Sequence, residues 1–231
     1  MAITGTYSSL SAEYYDAKRH PTCANFRELS IIFLDWVLKR FVKPEMSVLE
    51  VGAGKSVVAP ILLSNRIAAS LLLADSSPEM LSYSRDWVSE NIKLVLADAR
   101  STKLRSASVD FLVAALADPY NDAEFWTEVA RILRHNGMCA ITLPAYEWAS
   151  SFRSGEEKNL ARFELVNGEV VDVPSYVYPL AAQLELIGPE RFQLVELVSF
   201  TNLAITNDLS PKLVSDAVSP VLTGLVLRKA A

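Results

Sequence analysis

An α/β fold built on a mostly parallel sheet is what this sequence predicts, and three observations predict it. Short apolar runs end in acidic residues, VLE at Glu50, LLLAD at Asp75 and LVLAD at Asp98. Between them lie segments with helical spacing, so strand and helix alternate as in right-handed βαβ crossovers. The first run passes at once into Gly52-Ala53-Gly54, where glycine tolerates backbone angles closed to other residues and lets a ligand lie against the main chain. At 231 residues, 51% of them hydrophobic, the chain buries a full core as one domain.

Composition narrows the partners. A net charge of −5 disfavours nucleic acid, whose binding rests on contacts from basic side chains to phosphates. Cys23 and Cys139 lie far apart with no histidine pair to complete a metal site, so no metal is expected and a reducing cytoplasm is the plain reading. The N-terminal MAITGTYSSLSAEYYDAKRH lacks the apolar core of a signal peptide, and no later run is long enough to cross a bilayer. The pattern says nothing about oligomeric state.

In chain order, a polar piece with Tyr14, Tyr15, Asp16, Arg19 and His20 comes first and ends at Pro21. Phe26, Leu29, Phe33, Leu34, Val37 and Leu38 then recur at helical spacing, and Pro44 stops that helix before the first strand. The glycine loop VLEVGAGKS admits three readings. A phosphate-binding P-loop needs glycine where Leu49 stands, and a dinucleotide fingerprint needs glycine where Val57 stands. What remains is an acidic strand end followed at alternate positions by Gly52, Gly54 and the small Ser56. VVAPILLSN reads as the first crossover helix. The next strand ends at Asp75, 25 residues beyond Glu50, and SSPEML follows with serine caps, Pro78 and Glu79 suited to a helix start. A helix through Tyr83, Trp87 and Val88 leads to IKLVLAD. VDFLVAALAD forms a fourth strand. A helix marked by Trp126, Val129, Ile132 and Leu133 is expected to close at Asn136-Gly137 in a left-handed cap, with His135 beside its terminal carbonyls, before MCAITLP makes a fifth strand. ARFELVNGEVVDVPSY alternates around Asn167-Gly168 and predicts a hairpin with a two-residue turn. PLAAQLELIG reads as a helix capped by Gly188, RFQLVELVSFT and VLTGLVLRK as the last strands, and the polar loop TNDLSPKLVSDAVSP between them as a mobile segment.

Taken in this order, the Glu50–Ser56 loop, LLLADSSPEML and LVLAD resemble the motifs of the class I, Rossmann-like S-adenosylmethionine (SAM)-dependent methyltransferases of small-molecule type, with Ser56 in place of the usual third glycine. The resemblance implies a seven-stranded sheet of order 3-2-1-4-5-7-6, the last strand antiparallel. It also implies an N-terminal helical lid over 1–44, a cofactor-binding core over 45–145, a substrate-side hairpin insertion within 146–190 and C-terminal strands over 191–231. By the same resemblance SAM is the cofactor and S-adenosylhomocysteine (SAH) its product. Tyr15 and Arg19 close over it from the lid, and Glu50, Gly52, Ala53 and Gly54 form the loop beneath it. Asp75, with Ser76 and Met80 behind it, accepts from the ribose hydroxyls. Asp98 and Ala99 meet the adenine, and Ala115 passes the sulfonium.

The activity so implied is methyl transfer to a nitrogen, oxygen or carbon of a small molecule. A sulfonium methyl is already activated, so the protein mainly aligns the nucleophile and excludes water. A hydroxyl or ammonium acceptor still needs a base, for which His20, Asp118, Tyr120 and Glu147 are the candidates. Asp118-Pro119-Tyr120 lies past the fourth strand and suits a flat substrate stacked on the tyrosine, and Tyr146 and Trp148 are available to line an apolar pocket. Two alternatives stay open: a non-catalytic protein of the same fold, and a P-loop-type nucleotide-binding protein.

Overall fold

A computed structural model describes residues 3–4, 6–214 and 218–230. Along the chain run β1 (Ile3–Thr4), α1 (Tyr7–Leu10), α2 (Pro21–Phe41), β2 (Ser47–Val51), α3 (Val58–Ser64), β3 (Ser70–Asp75), α4 (Pro78–Ser82), β4 (Ile92–Leu96), β5 (Val109–Ala114), α5 (Ala123–Ile132), β6 (Leu133–Pro144), α6 (Tyr146–Ser150), β7 (Leu160–Glu164), β8 (Val170–Pro174), α7 (Leu180–Ile187), β9 (Phe192–Phe200) and β10 (Leu222–Lys229). Seven strands form one sheet in the order β4-β3-β2-β5-β6-β10-β9. Numbered within that sheet this is the expected 3-2-1-4-5-7-6. β2 through β6 pair in parallel, and β10 is antiparallel to both β6 and β9.

The central strands are apolar on both faces because helices cover both. Val48, Leu71, Leu73, Phe111 and Val113 pack with α2 and α3, while Leu49, Leu72, Leu112 and Ala114 pack with α5. Pro21 starts α2 without wasting a backbone donor, and its face from Phe26 to Leu38 is buried. Contact with β10 is close. A Cβ added to Gly224 would lie 2.8 Å from the Phe33 ring. Between these layers Ser30 and Thr142 share a buried hydrogen bond of 2.8 Å.

Several local expectations are corrected. The helix expected through Trp87 breaks into α4 and a 3-10 turn at Arg85–Trp87. α5 does not run to Asn136-Gly137: it ends at Ile132, and β6 begins at Leu133. Val109 pairs with Leu133 but Phe111 with Met138, so residues 134–137 bulge out of the ladder. Asn136, at φ +59, is left-handed as expected but serves this bulge rather than a helix cap. His135 is exposed there. The hairpin between β7 and β8 turns at Val166-Asn167. Gly168 alone of the Asn-Gly pair has positive φ (+80), and Leu165 N–H bonds to Glu169 O at 2.8 Å, the geometry of a turn followed by a glycine bulge.

That hairpin carries a second small sheet of order β1-β8-β7, in which β1 lies parallel to β8. The N-terminal segment is thereby strapped to the insertion, and Leu10, Phe163, Val171 and Val173 pack beneath it. Of the polar loop before β10, residues 215–217 lie outside the described residues. The preceding part is tied to α2: Ser210 N–H donates to the Asn25 side chain (2.8 Å), and Thr206 donates to Glu28. Among the described residues no helix is long and apolar enough to cross a membrane.

Candidate functional site

β2, β3 and β5 end at one rim of the sheet, where open α/β folds hold ligands. A crevice of about 900 Å³ lies there, lined by Glu50, Gly52, Ala53, Lys55, Asp75, Ser76, Met80, Ala115 and Tyr120, with Tyr15 and Arg27 closing it from the N-terminal side. Gly52 (φ +61) and Gly54 (φ +42) take the left-handed angles that glycine permits. Glu50 is 1% exposed. Its carboxylate accepts from Ser56 Oγ and from the backbone N–H of Val57 (3.0 Å), fastening the loop to the start of α3. Burial pushes the Glu50 carboxyl upward, opposed by these hydrogen bonds.

Asp75 accepts Gly54 N–H on Oδ2 and Ser77 N–H on Oδ1, both at 2.9 Å. Each carboxylate oxygen keeps a further lone pair for a ligand hydroxyl. Burial raises this carboxyl too. Ser77 caps α4 by accepting Met80 N–H at 3.1 Å, which sets Met80 in the crevice wall.

Two tyrosines lie over the glycine loop. Lys55 N–H donates to Tyr15 Oη (2.7 Å), and Tyr120 Oη donates to Val51 O (3.1 Å). A Cβ on Gly52 would meet Tyr120 Oη at 2.6 Å, and one on Gly54 would collide with Tyr15 Oη. Burial pushes the Tyr15 phenol up to about 12 and the Tyr120 phenol well above its ordinary range, so both are hydrogen-bonding groups rather than bases at neutral pH.

Other expected residues fall elsewhere. Asp98 is exposed beyond the end of β4, with Oδ1 accepting Arg100 N–H (2.8 Å), and it does not line the crevice; Ala99 beside it is buried. Arg100 lines it instead, held by Asp122 (2.6 Å) and Pro119 O (3.1 Å). Arg19 turns away from the glycine loop toward Glu13, 3.5 Å off. The arginine beside the loop is Arg27, 5.5 Å from the Tyr15 ring centroid and donating to Ser56 O at 3.2 Å. Glu147 and Tyr146 border a separate small pocket.

His20, Asp118 and Trp148 line a second cavity of about 540 Å³, roofed by the hairpin. Tyr7, Tyr14, Cys23 and Leu116 border both cavities. Leu116 has φ +53, a costly angle for a bulky side chain, and is held there by its N–H donating to Thr142 Oγ1 (2.9 Å). Strain is thus concentrated where the cavities meet. Asp118 is 7% exposed and accepts from Ser175 Oγ; burial pushes its carboxyl up to about 6. Burial chiefly, with the Asp118 charge adding to it, raises the phenols of Tyr7 and Tyr14 and the Cys23 thiol along that shared wall. Burial lowers the His20 imidazole, Glu13 opposing, and leaves Nε2 buried with no hydrogen-bond partner among the described residues.

Residues 49–141, from β2 to β6, match the family model for a methyltransferase domain. The chain is 30% identical over 110 residues to malonyl-[acyl-carrier protein] O-methyltransferase of Neorickettsia risticii (strain Illinois), a stretch that is 46% of this chain and 43% of that protein. It thus spans less than half the length of this curated relative. Among solved structures, an S-adenosylmethionine dependent methyltransferase from Mesorhizobium loti superimposes with TM-score 0.64 at 16% identity, covering 86% of this chain and 97% of the other. Geranyl diphosphate C-methyltransferase from Streptomyces coelicolor A3(2), solved with SAH, gives 0.63 at 9% identity over 86% and 76%. The rim that gathers Glu50, Gly52 and Asp75 lies inside the matched span, and the fold is that of these methyltransferase structures.

Proposed function

We propose that the chain binds SAM in the larger crevice and transfers its methyl group to a small molecule held in the adjoining cavity. One observation carries this reading: two cavities meet at Leu116, one walled by strand-end carboxylates and the glycine loop, the other by aromatic and titratable side chains. The residues fit an adenosyl amino acid. Asp75 has lone pairs left for vicinal hydroxyls. Gly52 and Ala53 expose backbone, and Arg27, on the crevice wall, suits the carboxylate of an amino-acid tail. The names of the relatives, an O-methyltransferase and a C-methyltransferase among them, agree in the reaction and differ in the acceptor. With the two cysteines unpaired, we place the reaction in the cytoplasm.

Bound SAM supplies a methyl group already activated by its sulfonium. The side chains of the chain then align the acceptor and shut out water. Tyr7, Tyr14 and Leu116 form the passage, and β1 with the hairpin closes it from above. Where the acceptor carries a proton, Asp118 is the group to take it. It lines the second cavity, and a carboxyl pushed up to about 6 is ionised at neutral pH yet more basic than an exposed one. Tyr120 is already donating to Val51 O, and Glu147 is outside both cavities.

The test is SAH release from SAM across a panel of small hydroxyl, amine and carboxylate acceptors. Acceptor-dependent SAH formation, lost in Asp118→Ala for protonated acceptors, is expected. Tight SAM binding with no acceptor-dependent turnover would favour the non-catalytic reading of the fold.

A further inference from the structure

Building on that reading, we propose that the second cavity is made for an acceptor with a flat or apolar body and an anionic group, and that Arg153 is the seat of the anion.

Arg153 enters from the irregular stretch after α6. Its guanidinium lies 5.7 Å from the Trp148 ring centroid and 5.8 Å from that of Phe152, an arrangement that fixes the planar fork without neutralising it. Guanidinium has five N–H donors. One goes to Ser175 Oγ at 2.8 Å, and the others have no partner among the described residues. No carboxylate among the described side chains lies within 4.0 Å of it. Burial pushes this guanidinium downward, opposed by the charge of Asp118, so holding it in the wall with no directly paired carboxylate costs stability.

The other arginines of the cavity each lie beside a carboxylate. Arg162 is held by Asp172 at 2.9 Å and by Glu157 at 3.0 Å, and Arg19 lies beside Glu13. Asp118 reaches Arg153 through Ser175, which bonds to both and keeps the two charges apart. Among the described residues Arg153 is therefore the arginine of this cavity with no carboxylate directly against it and with donors free for a ligand oxyanion.

A second, independent feature of the same wall also asks for a ligand. His20 is 8% exposed and packs edge-on against Phe163, with ring centroids 5.4 Å apart. Its buried Nε2 has no hydrogen-bond partner, and the nearest carboxylate oxygen, on Glu13, is 3.9 Å away. A buried polar atom left so is rare unless a bound molecule completes it. A neutral imidazole there accepts an O–H or N–H from the same ligand whose anionic end sits on Arg153, with Trp148 and Phe26 against its body.

The experiment is calorimetric titration, with and without SAH, of the full chain with phenylacetate, cinnamate and octanoate and with their uncharged amides. At least one carboxylate is expected to bind about tenfold or more tightly than its amide, the scale of a charge-assisted hydrogen-bonded pair. Arg153→Gln is expected to abolish the preference while SAH affinity stays within about twofold, which also shows that the variant is folded, and Arg153→Lys to retain part of it. Equal binding of acids and amides, no binding of either, or a preference that survives in Arg153→Gln overturns the anion seat. SAH binding without a carboxylate preference defeats this inference alone, whereas failure to bind SAH defeats the parent reading.

Discussion

Asp118 shows how a single side chain links fold and chemistry. Its carboxyl, ordinarily near 3.8, is pushed up to about 6 because the fold removes it from water. The protonated form therefore supports folding fully below the ordinary carboxylate range, and that support is lost as pH rises through 6. At neutral pH the ionised group lowers stability by roughly 1–3 kcal/mol. Asp118→Asn, which can still accept from Ser175, is expected to unfold at higher temperature than the native protein at pH 8 and at nearly the same temperature at pH 4. A variant less stable than the native chain at pH 8 would mean that the charge is held favourably. Glu50 and Asp75 stood out in the sequence because a carboxylate closing an apolar strand is costly to bury, and in the fold both accept hydrogen bonds that hold the glycine loop. Asp98 fits the same pattern yet turns outward, since its oxygen caps the Arg100 N–H and leaves the rim to Arg100.

At the scale of elements, the approach of α2 to β10 brings the N-terminal segment over the rim. Gly224 makes it possible, because any Cβ there would overlap the Phe33 ring. Gly224→Ala is expected to destabilise the protein by about 1–3 kcal/mol through overpacking, measured by urea unfolding. An unchanged midpoint would show that α2 shifts freely. The alternation of strands and helices was readable because the buried strands are short unbroken apolar runs, while the helices carry apolar residues at a spacing of about 3.6. The bulge at 134–137 was not: Asn136-Gly137 accepts left-handed angles equally well as a helix cap or as a strand irregularity, and only the pairing of Val109 with Leu133 decides. Arg153 was equally hidden. It follows a five-residue helix and precedes a 3-10 turn, so no periodicity marks it, and only the folded hairpin brings Ser175 to it.

For the whole molecule, the seven-stranded sheet provides a rigid rim, and the β1-β8-β7 sheet straps the N-terminal segment across it. The larger sheet and its order followed from the family that the motifs resemble. The smaller one did not, because two residues of β1 carry no readable pattern and their pairing with β8 joins chain positions some 168 residues apart. This strap makes the two cavities neighbours, with Tyr7 and Tyr14 forming part of the wall between them. The central claim is that the rim around Asp75 grips an adenosyl group, and calorimetric titration with SAH of the native chain and of Asp75→Ala tests it most directly. Binding that weakens at least about tenfold in the variant, as expected for lost charge-assisted hydrogen bonds of roughly 1.5–3 kcal/mol, would support the claim. Equal affinity in the two proteins, or no binding to the native chain, would contradict it.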